Sequence, residues 1–422
     1  MKKLSISCLL LTALCWLMPS GTVSAQNAEI SPYSRFGYGM LNDHANASQR
    51  GMGGVGLASR SGQYINFMNP ASYAAIDSVT FLFDIAASAK TLSTNETVNG
   101  VKKSGKDFTG GLDYVALQFP MTRYGGMAIG LVPYSEVGYK FGNQIANGTN
   151  EHQGSGTLNE LFVGLSAKPF KGFSLGLNFS YLFGTLLNDT YIYSASSTSL
   201  FEQVTEVRDY TLRLGVQYGF DVNKDNRVTV GAIYSPRKSF HGHAYGVKYE
   251  IGQDTANDTI GYGPMKGHYG MPDTWGAGVS WCWRNSLTVE ADFTYEAWKD
   301  VKYRYIEGFA NAGTTRFDNR WKAAVGAEYV PALRGSYMRR VHYRVGGYYT
   351  NDYIMVGNNS VKEYGVTVGL GLPAPSTKTM INFSAEYRHR AASPAALVTE
   401  NYFQFTIGVN VNELWFWRNK LR

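Results

Sequence analysis

The sequence predicts an all-β chain: a transmembrane barrel of about fourteen antiparallel strands with an N-terminal plug, or hatch, inside its lumen. Past residue 78, segments of about ten residues alternate apolar with small or polar residues, and short and long connectors follow one another in turn. After Ala25 the chain contains no apolar run of about 18 residues, the length that a spanning helix needs. Because only helices and closed barrels pair all their backbone groups within a bilayer, these observations favour the barrel.

The N-terminus has the features of a secretory signal peptide. Lys2 and Lys3 precede an apolar stretch, and the small residues Ser24 and Ala25 follow it, as at a cleavage site. We therefore expect residues 1–25 to be removed on export. An exported barrel belongs in the outer membrane of a Gram-negative bacterium.

The composition agrees with a membrane barrel and excludes other classes. The chain is 14% aromatic, contains 30 Tyr and 47 Gly, and carries a net charge of +7. That charge is too small and too dispersed for a nucleic-acid-binding protein, but it suits contact with anionic outer-membrane lipid. The alternative is a secreted soluble β-sandwich or propeller, which would not require alternating short and long connectors.

Five segments alternate most clearly, and nine weaker ones complete the predicted barrel of residues 79–412. The clear segments are 173–184, 210–220, 275–283, 287–296 and 403–412. The weaker ones lie near 79–90, 112–119, 124–134, 158–168, 227–235, 320–330, 340–350, 361–372 and 379–390. A carboxylate facing lipid at mid-membrane would cost a few kcal/mol, so the charged row of each strand is expected to face the lumen.

The connectors predict which end of the barrel faces which compartment. Short ones, rich in turn-forming residues, lie near 119–126, 168–172, 221–226, 284–285, 331–339 and 373–378. Long ones are expected at 91–111, 135–157, 186–208, 236–272, 299–319, 351–360 and 391–400. This alternation places both chain ends in the periplasm, with the long connectors facing outward.

Residues 26–78 do not alternate, and residues 413–422 form a basic, aromatic tail. We interpret 26–78 as the plug, since lumen side chains and water can satisfy irregular backbone there. A disordered periplasmic tail is the alternative. The glycine run of residues 51–56 is interpreted as tight packing inside the barrel, because no buried strand precedes it and no helix follows, as a nucleotide site would require.

Charged residues at lumen-facing positions form the first candidate site. Acids lie on one late strand and bases on the next two, and the set is Arg213, Glu290, Asp292, Glu296, Lys322, Glu328, Arg344, Glu386 and Arg388. One interpretation is a cross-strand ion-pair ladder that satisfies the interior and docks the plug. The other is a gate whose rearrangement opens a path.

Aromatic residues in the connector 236–272 form the second candidate site. They would capture an apolar ligand or dock a partner, and they are Phe240, Tyr245, Tyr249, Tyr262, Met265 and Tyr269. No serine elbow or complete metal-ligand set is present. We therefore expect no catalytic residues, no cofactor and no metal.

Several stretches resemble the FadL (TodX) family of outer-membrane transporters for hydrophobic compounds. Asn69, Pro70 and Ala71 match its NPA motif between hatch and barrel. Further similar stretches are YGMPDTWGAGVSW (269–281), FTYEAWKDV (293–301), FDNRWKAAVGAEYV (317–330) and YRVGGYYTNDY (343–353). The SPYSRFGYG opening (31–39) and the C-terminal tail are similar to those of members from Bacteroidota.

The resemblance implies a channel that takes up hydrophobic small molecules, fatty-acid-like or aromatic. Outer loops would capture the ligand, and movement of the hatch would let it pass. Some Bacteroidota relatives instead resemble accessory barrels of outer-membrane secretion or barrel-assembly complexes, so other outer-membrane or periplasmic proteins are alternative partners. A general porin for polar solutes is a third hypothesis, which a filled lumen disfavours.

Overall fold

In the computed structural model, fourteen long strands follow an irregular N-terminal segment. The structure describes residues 30–414 except 99, 146, 195–196, 241, 252–257, 266–268, 302, 304–315, 376–377 and 396. The strands are β1 (Thr80–Val98), β2 (Val101–Thr122), β3 (Gly125–Ile145), β4 (Gly148–Phe170), β5 (Phe173–Ser194), β6 (Thr198–Asp221), β7 (Asn226–Ser235), β8 (Thr274–Trp283), β9 (Leu287–Glu296), β10 (Arg320–Tyr329), β11 (His342–Val356), β12 (Asn359–Pro373), β13 (Met380–Ser393) and β14 (Val398–Leu414).

These strands close into a ring. Each pairs antiparallel with the next, and β14 pairs with β1 from Val398–Glu96 to Leu414–Thr80. The antiparallel barrel of fourteen strands is confirmed within the described residues. We call the end with the connectors β2–β3 and β4–β5 the turn end, and the opposite end the loop end. None of the helices in the described part of the chain is long and apolar enough to cross a bilayer.

The lipid-facing band is marked by exposed apolar side chains on alternate residues. On β5 they extend from Leu175 to Tyr181, while the intervening Ser174, Asn178 and Ser180 are buried in the interior. This alternation places one face of each strand toward lipid and the other toward the lumen. The band covers about ten residues, which is the length that a tilted strand needs to cross hydrocarbon.

Strands β1 to β6 continue far past this band at the loop end. β4 has 23 residues and β6 has 24, roughly twice what the bilayer requires. The predicted long connectors 91–111, 135–157 and 186–208 are therefore wrong, because most of these residues belong to strands. Outside the bilayer both faces of a strand meet water, so the apolar alternation that identifies a spanning strand disappears there.

Three other predicted connectors, 236–272, 351–360 and 391–400, also contain strand residues. Within 236–272, a hairpin of Gly242–Ile251 and Asp258–Met265 extends the sheet beside the outer part of β6. The connector 351–360 is short, because β11 ends at Val356 and β12 begins three residues later.

The ring of hydrogen bonds is interrupted between β2 and β3. Their ladder extends only from Val115–Leu131 to Thr122–Gly125, so the loop-end halves of the two strands separate. Leu131 of β3 pairs with Leu161 of β4, and Leu161 pairs with Tyr181 of β5, so Leu131 and Tyr181 lie at the same height in the wall. Because Tyr181 is the last exposed residue of the lipid-facing band on β5, the two strands separate at the loop-end border of that band.

The N-terminal segment, residues 30–78, takes the place of the missing β2 partner. Met40 and Leu41 pair with Glu136 and Ser135 of β3. Further toward the loop end, the Ser31 N–H donates to the Gly138 carbonyl at 2.7 Å. The part of the β3 edge from Tyr134 to Gly138 is thus paired by the chain itself, which protects that stretch from pairing with another protein.

The rest of this segment lies within the ring of strands. Its backbone approaches Gly126 of β3, Gly231 of β7, Gly326 of β10 and Gly369 of β12, which lie on opposite sides of the barrel. Most residues between 45 and 74 are buried. The predicted signal peptide, residues 1–25, and the tail from Trp415 onward lie outside the described residues.

Spin labels test the predicted membrane level. Phe179 and Leu214 are exposed by 50% and 48% within the lipid-facing band, whereas Phe108, exposed by 71%, lies beyond it on β2. With Cys282 replaced by Ser, nitroxides attached at Cys substituted for Phe179 or Leu214 should collide with oxygen dissolved in lipid. A nitroxide at position 108 should collide with an aqueous nickel reagent. If labels at positions 179 and 214 collided with the nickel reagent as often as the label at position 108, the membrane level assigned here would be contradicted.

Candidate functional site

Asn69 links the N-terminal segment to the barrel wall. It is fully buried and begins a short 3-10 helix, Pro70–Ala75, where its side-chain oxygen accepts from the Ala71 N–H at 3.1 Å. Its amide nitrogen donates to the Leu57 carbonyl at 2.7 Å and to the Val216 carbonyl of β6 at 3.2 Å. One side chain therefore connects two parts of the segment with the wall.

Glycines make this close approach possible. A Cβ at Gly176 of β5 would overlap the Pro70 backbone, and one at Gly215 of β6 would overlap the Asn69 side chain. Gly53 has φ of +75° and lies against the Gly347 backbone of β11, so both conformation and space there require glycine. The glycine-rich run thus packs directly on the wall.

A cluster of four charges holds the middle of the N-terminal segment. The Asp43 carboxylate forms ion pairs with Arg320 Nη2 and Lys322 Nζ of β10, each at 2.7 Å. Arg320 also forms an ion pair with Glu296 of β9 at 2.5 Å. Burial raises the pKa of Asp43, but the two cations outweigh it and keep this pKa well below its usual range. Asp43 therefore remains a carboxylate at neutral pH.

Two predicted lumen acids on β9 have other partners. Asp292 Oδ2 accepts the backbone N–H groups of Gly56 and Leu57 at 2.6 and 2.8 Å, so it binds the N-terminal segment directly. Glu290 accepts from the Ser280 hydroxyl of β8 at 3.1 Å. Neither contact is a cross-strand ion pair.

The remaining predicted charges contact wall partners or the N-terminal segment. Arg344 of β11 donates to Glu328 of β10 at 2.6 Å, and Arg388 donates to Glu386 of the same strand at 3.1 Å. Arg213 of β6 donates to the Phe67 carbonyl at 3.5 Å. The lumen charges thus combine wall-to-wall pairs with contacts to the N-terminal segment, while their role as a gate stays a prediction.

A second charged cluster, which was not predicted from the sequence, lies toward the loop end. Arg390 of β13 contacts Glu363 of β12 at 2.6 Å and Glu400 of β14 at 3.0 Å, and Ser31 donates to Glu400 at 2.7 Å. All three charges are buried. Strand alternation already places Arg390 on the same face as Glu386 and Arg388, and it would have placed Glu400 inside if β14 had been extended toward residue 398.

Asp43 and the pair His44–Glu160, separated by 2.8 Å, were also missed. The irregular N-terminal segment has no sequence period, so no pattern indicates which of its side chains face the wall. Their partners could be identified only once the segment was placed in three dimensions.

The aromatic residues predicted to capture ligand divide into three groups. Phe240 and Tyr269 are buried, with ring centroids 5.9 and 6.4 Å from that of Tyr38 in the N-terminal segment. Tyr245 and Tyr249 lie partly buried on the hairpin. The side chains of Tyr262 and Met265 lie outside the described residues.

Phe240 and Tyr269 therefore belong to an aromatic core that holds the N-terminal segment. The Tyr38 ring also packs 5.9 Å from Trp298, which is fully buried, and the Tyr38 hydroxyl donates to the Gly270 carbonyl at 3.0 Å. A closed aromatic core of this kind stabilises the loop end and leaves these two rings little surface for a ligand.

A cleft of about 520 Å³ lies at the loop end, between the separated halves of β2 and β3. We call it the wall cleft. Its apolar lining comes from the N-terminal segment and from both sides of the gap, and includes Tyr33, Phe36, Leu92, Tyr139, Phe141, Val356, Leu397 and Val398. Arg35, Lys103 and Lys140 lie at the same cleft.

Smaller cavities continue inward from the wall cleft. Three of about 80 to 90 Å³ surround residues 42–44, and a fourth, of about 350 Å³, lies at the turn end. Residues 42–54 separate these spaces, so the interior is divided by the N-terminal segment. Among the described residues, no three His, Cys, Asp or Glu side chains form a group that could hold a metal ion.

Comparison with known proteins gives one family match and several structural neighbours. A family model described as BamG matches residues 2–422. No functionally curated protein matches the sequence.

Solved structures of similar fold include two toluene transporters and a FadL homologue. The Pseudomonas putida toluene transporter TodX is 14% identical, with a TM-score of 0.63 over 89% of this chain and 100% of its own. A FadL homologue from Pseudomonas aeruginosa is 12% identical, with a TM-score of 0.63 over 88% and 99%. The Ralstonia pickettii toluene transporter TbuX is 15% identical, with a TM-score of 0.59 over 88% and 99%. At these identities the likeness establishes the fold.

Replacing Asp43 with Asn should loosen the N-terminal segment. Arg320 and Lys322 would lose a shared carboxylate that is 33% exposed, which we expect to cost about 1–3 kcal/mol. Hydrogen exchange over residues 40–57 should accelerate accordingly in the full-length protein.

Asp77→Asn is the matched control, because Asp77 is 67% exposed and its pair with Lys378 is long, at 3.5 Å. Equal rates of hydrogen exchange over residues 40–57 in the two variants would mean that the Asp43 cluster does not hold the N-terminal segment.

Proposed function

The chain belongs to the BamG family, and because it folds as the toluene transporters TodX and TbuX do, we propose that it is an outer-membrane channel for hydrophobic small molecules. The ligand, fatty-acid-like or aromatic, enters at the loop end and passes when the N-terminal segment moves. The proposal includes no catalytic step. It also includes the predicted signal peptide and periplasmic chain ends, with the turn end facing the periplasm.

The wall cleft is the observation that supports this proposal. It is a mainly apolar recess between the separated loop-end halves of β2 and β3, and its β3 lining begins at Tyr139, eight residues beyond Leu131 and therefore outside the lipid-facing band. Its volume of about 520 Å³ lies within the usual range of about 300–1,000 Å³ for small-molecule sites. Tyr33 and Phe36 form part of it, so a ligand there touches the N-terminal segment directly.

Passage beyond the cleft requires the N-terminal segment to move. The cavities around residues 42–44 are each about 90 Å³ or less, too small for a fatty acid or an aromatic hydrocarbon. Leu41, Asn42 and Asp43 border them and are fixed to β3 and β10. Displacing these residues would join the wall cleft to the turn-end cavity.

A disulfide that locks the segment to the wall tests this route. Leu41 and Ser135 are directly opposed in an antiparallel pair, where Cα atoms lie about 4.5–5.5 Å apart, within the range of a disulfide. In the Cys282→Ser background, the double variant Leu41→Cys and Ser135→Cys should transport toluene or a fluorescent fatty acid into liposomes only when reduced. Oxidation should lower the rate at least about tenfold, and a reductant should restore it.

The two single-cysteine variants are controls and should respond to neither treatment. Oxidised and reduced double variants with the same rate would exclude movement of this segment. Entry no faster than in protein-free liposomes under both conditions would exclude transport of these ligands.

A second candidate function is an accessory subunit of an outer-membrane secretion or barrel-assembly complex. Membership of the BamG family favours it, as does an interior crossed by charges. Asp43, Arg320 and Arg390 occupy the lumen in ion pairs that an apolar solute could not replace. The outer halves of β1 to β6 also present a broad sheet beyond the membrane level, on which another protein could dock.

Purification in mild detergent tests this second function. The tagged full-length chain should retain one or more outer-membrane or periplasmic proteins in fixed stoichiometry through size-exclusion chromatography. A chain that elutes alone as a monomer from native membranes, at expression levels matching the natural ones, would contradict the subunit role and leave transport as the function.

A further inference from the structure

Two arginines converge on the inner wall at the turn end. Arg60 belongs to the N-terminal segment, and its Nη1 donates to the Gly172 carbonyl in the β4–β5 turn at 2.5 Å. The same carbonyl accepts from the Gly219 N–H of β6 at 2.9 Å. Arg227 reaches the same place from the first residues of β7.

The missing side chain of Gly219 leaves room between their donor groups. The position that its Cβ would occupy is 3.1 Å from Thr229 Oγ1, 3.5 Å from Arg227 Nη2 and 3.6 Å from Arg60 Nη1. A hydroxyl and two guanidinium groups, from the N-terminal segment and from β7, therefore surround one small space. Guanidinium groups arranged in this way recognise planar or tetrahedral oxyanions.

These two cations have no acidic partner among the described residues. Neither Arg60 nor Arg227 takes part in an ion pair there. Asp221 lies opposite Arg227 in the β6–β7 ladder but does not pair with it. Burial and the neighbouring Arg227 guanidinium lower the pKa of Arg60, as expected when like charges are held together.

The two arginines line the turn-end cavity of about 350 Å³, which also contains the Thr229 side chain. Lys378 adds a further cation to the lining, while Glu290 and Glu328 are engaged by Ser280 and Arg344. The cavity is on the lumen side of the strands, so bilayer lipid does not reach it. Its solutes come from the aqueous compartment that the turn end faces.

We propose that Arg60, Arg227 and Thr229 form a binding site for an oxyanion, the phosphate or carboxylate group of a water-soluble molecule. The two guanidinium groups donate to the anion oxygens, and the Thr229 hydroxyl donates a further hydrogen bond. Because Arg60 lies on the N-terminal segment and Arg227 on the wall, the bound anion bridges them. This inference does not depend on what the barrel transports.

Calorimetric titration of the full-length protein in non-ionic detergent tests the site. Inorganic phosphate and acetate serve as separate probes, at ionic strength fixed with chloride. We expect saturable binding of at least one probe, and the probe that binds identifies whether phosphate or carboxylate is the preferred group. Arg60→Gln and Arg227→Gln should each weaken that binding at least about tenfold, and Thr229→Val several-fold.

Arg284→Gln is the matched control. Arg284 is an exposed turn-end arginine that pairs with Asp225 at 3.1 Å outside the cavity. Its loss should leave binding unchanged. Thr229→Val retains both charges and the side-chain volume, so it reports on the site even if an arginine variant folds poorly. Absence of saturable binding by both probes, or binding equally tight in Arg60→Gln, Arg227→Gln and Thr229→Val, would overturn the proposal.

Discussion

The structure depends on the requirement that every backbone polar group within a bilayer be paired inside the protein. Fourteen strands meet this requirement by closing β14 on β1, but the ladder between β2 and β3 ends at Val115–Leu131. The N-terminal segment supplies the missing partners on β3 through Leu41 and Ser31. The segment thus pairs part of the wall just outside the lipid-facing band, and the same gap contains the wall cleft.

The interior charges and the N-terminal segment stabilise one another. Without Asp43, Lys322 would lose its carboxylate partner and Arg320 would keep only Glu296, and Asp292 would lose both backbone donors without Gly56 and Leu57. Breaking such contacts on one side leaves an unpaired buried charge, which costs more than the pair contributes. For this reason the charges that dock the segment are also the groups that any movement of it must disturb.

The two ends of the barrel differ in chemistry. At the loop end, Tyr38 packs among Phe240, Tyr269 and Trp298, and the wall cleft beside this core is largely apolar. At the turn end, the cavity is polar and contains cations such as Arg60. The N-terminal segment reaches both, so an apolar ligand at one end and an anion at the other would act on the same element. Such an arrangement couples the ends if the two ligands favour different positions of the segment.

The sequence by itself determined the barrel, the number of strands and the inward direction of residues such as Glu290 and Arg344, because hydrocarbon enforces a strict two-residue period. Outside hydrocarbon that period is lost, and the strands beyond Lys90 and Tyr134 were expected to be connectors. Only the tertiary structure decided which charges meet. Asp43 lies 277 residues from Arg320, and an irregular segment carries no pattern that tells which wall residue it will face.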